Sequence, residues 1–362
     1  MIRKLDIFII RKYLSTFVFT ALIFTMIAVV IDFSEKLEKF IEEPTTLHEI
    51  IFQYYLAFIP QINWLLWPLF ALISVIFFTS RMAANSEVLS ILNAGISYNR
   101  FLRPYLLAAL IIGLIHMVGN HFFIPMLNKN KIEFEAKYIN KEDNSRQNNN
   151  VHIMLSPDQK VFVRYFSRID STAKDMRIET FNQDKLTEIF VAKEARYIGK
   201  TKEWEMKNIT IHSFQGQHET ITIDPVKAVK KKLNLTPNDF YTITNYKQTL
   251  TTPALYSFIR KEDARGTGYP LEYIIELHRR TADSATIIIL TIMAVSVSSR
   301  KVRGGVGLHL AFGVAMGALF MVMSKFSVTF AQSNIVPPII GVWIPNLVFF
   351  AFSLWLMSKA QK

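Results

Sequence analysis

Six long apolar blocks dominate the chain, and they constrain its fold more than any other feature. A helix needs roughly 20 apolar residues to cross about 30 Å of hydrocarbon. Blocks at 7–31, 50–78, 101–124, 279–297, 306–331 and 338–357 meet or approach that length, in a 362-residue chain that is 51% apolar. The expected class is therefore an α-helical membrane protein with six transmembrane helices. The first block runs on from Leu5 to Ile31 with no small-residue cleavage site behind it, so it reads as a span and not a cleaved leader. Pro60 and Pro68 lie inside the second block, where donors on neighbouring helices can satisfy the carbonyls they free.

The short loops orient the spans. Arg3, Lys4, Arg11 and Lys12 precede or open the first; Arg81, Arg100 and Arg103 flank the turn between the second and third; Arg300, Lys301 and Arg303 separate the fourth and fifth; Lys359 and Lys362 end the chain. On the other side, Lys36 and Lys39 sit among five acids, and residues 332–337 carry no charge. Excess positive charge stays in the cytoplasm, which puts both termini inside and the central segment outside. Much of the formal +12 charge follows from this topology, so no nucleic-acid partner is expected.

The central segment has a different texture. After a polar lead-in ending in SRQNNN (145–150) come VFVRYF (161–166), MRIETF (176–181), EIFVAKEARYI (188–198), NITIHSF (208–214) and ETITI (219–223), divided by turn chemistry such as NQDK. Short β-branched and aromatic runs at close spacing predict an all-β domain: a sandwich, jelly roll or open barrel. The expected plan is transmembrane helices 1–3 over residues 1–125, an inserted extracytoplasmic β domain at 126–252, an amphipathic connecting helix at 253–270, and transmembrane helices 4–6 over 271–362.

Between the second and third spans lies AANSEVLSILNAGIS (83–97), too short and polar to cross a bilayer. Asn85 or Ser86 suits an N-cap, Glu87 the first turn, and Gly95 the C′ position. Ser86, Ser90 and Asn93 make a polar stripe; Val88, Leu89, Ile91 and Leu92 make the other face. The segment reads either as a surface helix closing a loop or as a coupling helix that docks in a groove of a cytoplasmic partner and moves the attached spans.

The chain shows no engine of its own. EARYIGKT (194–201) lacks the first glycine of a P-loop and falls in the β segment; H-E-x-x-H and G-x-S-x-G are absent. No metal site is expected from eight scattered histidines, and zero cysteines exclude disulfides. Active work would need ATP and magnesium on a separate cytoplasmic subunit, with no cofactor in this chain.

Four stretches resemble the LptF/LptG permease family, the membrane subunits of a lipopolysaccharide-exporting ABC transporter: SEVLSILNAG (86–95), LNLTPNDF (233–240), ELHRRTADSAT (276–286) and IVPPIIGVWIPNLVFFAFSLWL (335–356). The resemblance covers essentially the whole chain and leans towards the LptG-like member. It implies no covalent chemistry and a β-jellyroll whose apolar groove shields acyl chains. The implied partners are an LptF-like second permease, two LptB-like ATPases, a single-span LptC-like jellyroll protein, an LptA-like bridge, and lipopolysaccharide. The implied location is the inner membrane of a Gram-negative bacterium.

Under that resemblance, Ser86, Glu87, Val88, Leu89, Ile91 and Leu92 would couple to the ATPase. Arg280, Lys325, Arg279 and Lys36 would meet the substrate's phosphates, although Arg279 can also pair with Asp283 along its helix. Gly313 and Gly317 form a GxxxG for either internal packing or the second permease. Where the family has basic residues, this chain has Asp32 and Gln61, which leaves open which cations hold the phosphates and fits a less phosphorylated lipid A. A secondary transporter predicts repeat symmetry and mid-membrane charge, which the spans lack; a membrane-anchored scaffold would leave the coupling helix idle.

Overall fold

The computed structural model describes residues 3–139, 149–167, 170–183, 185–216, 218–224, 228–240, 246–266, 270–302 and 304–360. The lead-in at 140–148, Asp184, Arg303 and Lys362 lie outside the described residues. Two compact units emerge: Met1–Lys131 with Lys247–Leu255 and Leu271–Lys362, and Ile132–Tyr246 with Tyr256–Pro270.

Among the described residues six helices are long and apolar enough to span a membrane: α1 (Lys4–Glu42), α2 (Leu47–Ala84), α4 (Tyr98–Ile139, whose last residues from Ile132 belong to the second unit), α6 (Leu271–Ser298), α7 (Gly305–Gln332) and α8 (Pro338–Ala360). Between α2 and α4 sits the short α3 (Glu87–Asn93). Most helices outrun their apolar blocks, because hydropathy marks only the hydrocarbon slab and helix propensity carries the chain past it. The largest difference is α4, which continues 15 residues beyond the expected end at Ile124, to Ile139. Helix α6 is the buried centre, whereas α1 and α7 leave most of their apolar surface open.

Within this bundle, two helix prolines are matched by donors on other helices. Pro68 has no N–H for the carbonyl of Trp64 four residues back. His116 Nε2 from α4 lies 2.9 Å from that carbonyl, and Trp64 Nε1 donates to His116 O at 3.1 Å. Pro345 likewise frees the Gly341 carbonyl, which accepts from Ser327 Oγ of α7. Buried hydroxyls pair across helices as well: Tyr13 with Thr291 at 2.9 Å, and Thr286 with Asn346 Oδ1 at 2.8 Å. The last pair joins two of the four family-like stretches.

The second unit is a seven-stranded antiparallel sheet: β1 (Asn149–Ser156), β2 (Gln159–Ser167), β3 (Thr172–Asn182), β4 (Lys185–Ile198), β5 (Glu203–Gln215), β6 (His218–Asp224) and β7 (Val229–Lys231). Strands β1 to β6 follow one another as a meander, with β7 on the far half of β5. Strands β1 and β7 went unread in the sequence: the first was masked by the polar run before it, and the second is only three residues long.

The alternation breaks at one level across four strands. Arg164–Tyr165, Lys174–Asp175, Lys193–Glu194 and Lys207–Asn208 each place two consecutive residues outward, flanked on both sides by buried ones. Asp175 and Asn208 have φ of 51° and 53°. Asp and Asn tolerate this left-handed region better than most residues. The phase flips in every strand at once, so register is kept on both sides. On one side the core holds Val161, Val163, Met176, Ile178, Phe190 and Ala192; on the other it holds Phe166, Ala173, Ala195 and Trp204.

LNLTPNDF closes the second side. Phe240 stacks on Phe166 at 4.3 Å between ring centroids, and Leu235 O accepts from Trp204 Nε1 at 2.9 Å. Asp239 caps its own turn, accepting from Thr236 N at 2.7 Å, and receives Lys261 (2.9 Å) and Arg265 (2.9 Å) from the C-terminal part of α5 (Thr252–Ala264) and the residue after it.

Candidate functional site: an amphipathic cavity among α2, α6 and α7

ELHRRTADSAT folds into α6, where Glu276, Arg279, Arg280 and Asp283 fall at helical spacing on neighbouring faces. Glu276 sits between the two arginines, 3.0 Å from Arg279 Nη2 and 3.2 Å from Arg280 Nε. From there the arginines diverge.

Arg280 turns inward. It is 3% exposed and donates to Thr252 Oγ1 (3.0 Å) and to Lys247 O (3.1 Å) in the segment returning from the β domain. His121 Nδ1 lies 2.8 Å from the same Thr252 hydroxyl. Every nitrogen of Arg280 thus has a protein partner, and the side chain fastens residues 247–252 to the bundle while also bordering a polar cavity beside Gln61 and Asn128. Sequence spacing could not show this, because the partners lie about 30 residues upstream.

Arg279 turns the other way, into a cavity of about 490 Å³ lined by Leu65, Leu69, Leu290, Phe320, Met321 and Val328. Lys325 and Asp283 stand beside it, with Asp283 Oδ2 3.8 Å from Arg279 Nε. A polar lobe of about 300 Å³ adjoins, sharing Leu65, Arg279, Asp283 and Lys325 and adding Gln61, Asn120, Asn128, Glu276 and Arg280. Among the described residues Lys325 makes no ion pair. The arrangement is an apolar slot ending in two cations and an acid, suited to an amphiphile with a charged head. Asn128, Asp283 and Gln61 were missed as lining residues. Asn128 was hidden by the unforeseen continuation of α4, and Asp283 was read only as an intrahelical partner.

Lys36 lies outside this cavity. It pairs with Asp32 at 2.7 Å and touches the Tyr54 hydroxyl, which itself donates to Asp32 at 2.9 Å. Gln61 receives Lys131 Nζ at 2.7 Å. Asp32 and Gln61 are thus each met by a lysine, one turn along the same helix for Asp32 and from α4 for Gln61.

Gly313 and Gly317 face α2. A Cβ on Gly313 would run into Ile76 Cδ1, and one on Gly317 would come within 2.6 Å of Leu69 Cδ1. The GxxxG thus packs α7 against α2 of the same chain.

The α3 helix has the expected ends. Ser86 takes the N-cap position at φ 61° without a side-chain cap, and Gly95 takes the C′ position at φ 82°. Val88 is 1% exposed in the bundle core, with Ile91 and Leu92 packed against it, while Leu89 is 58% exposed and Glu87 points out. The apolar face expected for a partner is mostly spent on the chain's own core.

The sequence pattern of a family described as lipopolysaccharide export system permease LptF/LptG matches residues 7–359. The lipopolysaccharide export system permease protein LptG of Haemophilus influenzae is 23% identical over the full length of both chains. The protein of the same name from Escherichia coli K12 is 20% identical over 84% of each. With nearly every residue inside the match, and with 3 + 3 spans around an inserted sheet, this chain belongs to the LptF/LptG lipopolysaccharide export permease family.

Proposed function

We propose that this chain is the LptG-type permease of its transporter and that the cavity among α2, α6 and α7 contacts lipopolysaccharide as it leaves the membrane. The observation carrying this reading is the pairing of a greasy slot with Arg279 and Lys325 at one end. Acyl chains gain by entering the slot, and a phosphate gains from two cations in a poorly hydrated setting. Both termini lie in the cytoplasm, the sheet lies in the periplasm, and the protein sits in the inner membrane. Glu87 and Leu89, with Ser86 beside them, contact one of two ATPase copies that supply ATP and magnesium. The sparsely buried α1 and α7 meet an LptF-like partner. The outer edges of β1 and of β6 with β7, which pair with no further strand among the described residues, accept neighbouring sheets, LptC-like and LptA-like, by strand addition.

The test is photo-crosslinking in intact cells from Met321 in the cavity and from Phe162, Ile189 and Ile211 on the sheet. Lipopolysaccharide adducts that grow only during ATP turnover support the reading; adducts indifferent to ATP, or none at Met321, overturn it. Glu87→Lys should release the ATPase on purification without lowering the amount of permease.

A further inference from the structure

We infer that the polar lobe selects a phosphate that carries an amine, so that the preferred occupant is a lipid with a zwitterionic aminoalkyl-phosphate head and an acyl chain in the apolar slot. This rests on the reading of Arg279 and Lys325 as phosphate-binding.

The lobe is not built for a bare phosphate. Beside the mutually paired Arg280 and Glu276 it offers two cations shared with the apolar slot, Arg279 and Lys325, but sets the carboxylate of Asp283 between the two lobes beside them. That carboxylate is only loosely engaged: its separation from Arg279 Nε is 3.8 Å, too long for a hydrogen bond. For a dianionic phosphate it is a repulsive neighbour in a low-dielectric site. For an ammonium it is a partner.

Two buried atoms without partners point the same way. Asn128 is 3% exposed and lines the polar lobe, and its Oδ1 is an acceptor with no donor. The orientation of its amide is set by the other end, where Nδ2 faces Gln248 O at 3.5 Å. Arg279 Nε is a donor with no hydrogen-bonded acceptor. Buried polar atoms are rarely left unmatched without a ligand or water to complete them. The lobe therefore lacks one acceptor at Arg279 and one donor at Asn128. An aminoalkyl phosphate supplies both from a single head: phosphate oxygens for Arg279 and Lys325, ammonium protons for Asn128 Oδ1 and Asp283.

The head can come from a membrane phospholipid or from substrate whose lipid A phosphate is capped by an amine, and competition separates the two. The assembled transporter in detergent is offered phosphatidylethanolamine against phosphatidylglycerol of identical chains, and separately aminoethyl-capped against uncapped lipid A; retained lipid is read by native mass spectrometry. A preference of about tenfold for the amine-bearing member is expected, the scale of one charge-assisted hydrogen bond. Preference in the first pair alone makes the occupant a resident phospholipid; in the second alone, the cargo. Asp283→Asn should abolish the preference, and so should Asn128→Leu, which removes the unmatched acceptor and should not impair folding. If the wild type shows no head preference, or both variants keep it, while Lys325→Gln weakens retention of every lipid, the cation reading stands and this inference falls. If Lys325→Gln changes nothing, both fall.

Discussion

Arg265 reaches Asp239 through two nitrogens, Nη2 to Oδ2 at 2.9 Å and Nη1 to Oδ1 at 3.2 Å, and so ties the residue after α5 to the turn that closes the sheet core. Burial alone would raise the Asp239 pKa, but hydrogen bonds from Arg265, Lys261 and the Thr236 N–H outweigh it and hold the carboxyl below its ordinary value. A group depressed in the folded state contributes stability that is complete above its unfolded pKa, near 3.9, and is lost as pH falls through the folded one. The β unit should therefore keep this contribution throughout neutral and mildly acidic pH and lose it only in strong acid. Asp239→Asn should cost about 3 kcal/mol at pH 7, because Arg265 stays buried with only Glu262 as its charged partner. Unfolding followed by Trp204 fluorescence at pH 7 and at pH 3 checks both statements: the penalty should shrink at the lower pH.

The pairing of His116 with the carbonyl that Pro68 frees predicts a coupled cycle. His116→Phe should destabilise the bundle by about 1–3 kcal/mol by leaving Trp64 O unmatched. In a Pro68→Ala background the helix supplies its own N–H to that carbonyl, and the same substitution should cost less than half as much. Equal costs in both backgrounds, measured by thermal unfolding in micelles, would refute the pairing.

Seating of α7 on α2 through Gly313 makes a steric prediction. Gly313→Ala forces Ile76 Cδ1 aside and should cost about 1–3 kcal/mol. Ile76→Val removes that carbon, and the double variant should recover most of the loss. Failure to recover would mean that the glycine faces something other than α2 in the working protein.

Division of labour on α3 can be read with two neighbouring substitutions. Val88→Ala should lower permease stability by about 1–3 kcal/mol, since the side chain is in the core. Leu89→Ala should leave stability unchanged and reduce co-purified ATPase. The reverse pattern would show that the helix rotates when its partner docks.

What could be read from the linear chain was whatever depends on local composition. Six spans and their 3 + 3 grouping follow from the cost of placing polar backbone and side chains in hydrocarbon, a cost summed residue by residue. Five of the seven strands, the connecting helix and the Gly95 helix stop were legible for the same reason. Pairing was not. Arg279 and Arg280 are adjacent and chemically identical, yet only Arg279 reaches the apolar slot while Arg280 fastens residues 247–252, because a helix turns about 100° per residue and points them to different neighbours. Val88 and Leu89 part in the same way. The crease through β2 to β5 is written as charged or polar doublets between apolar residues (VRYF, AKDM, AKEA, MKNI), but they acquire meaning only when four strands align them on one row. Composition thus determined which segments enter the membrane and which form the sheet. Tertiary packing decided which charges are matched inside the protein and which face the cavity, since that depends on the approach of residues far apart along the chain.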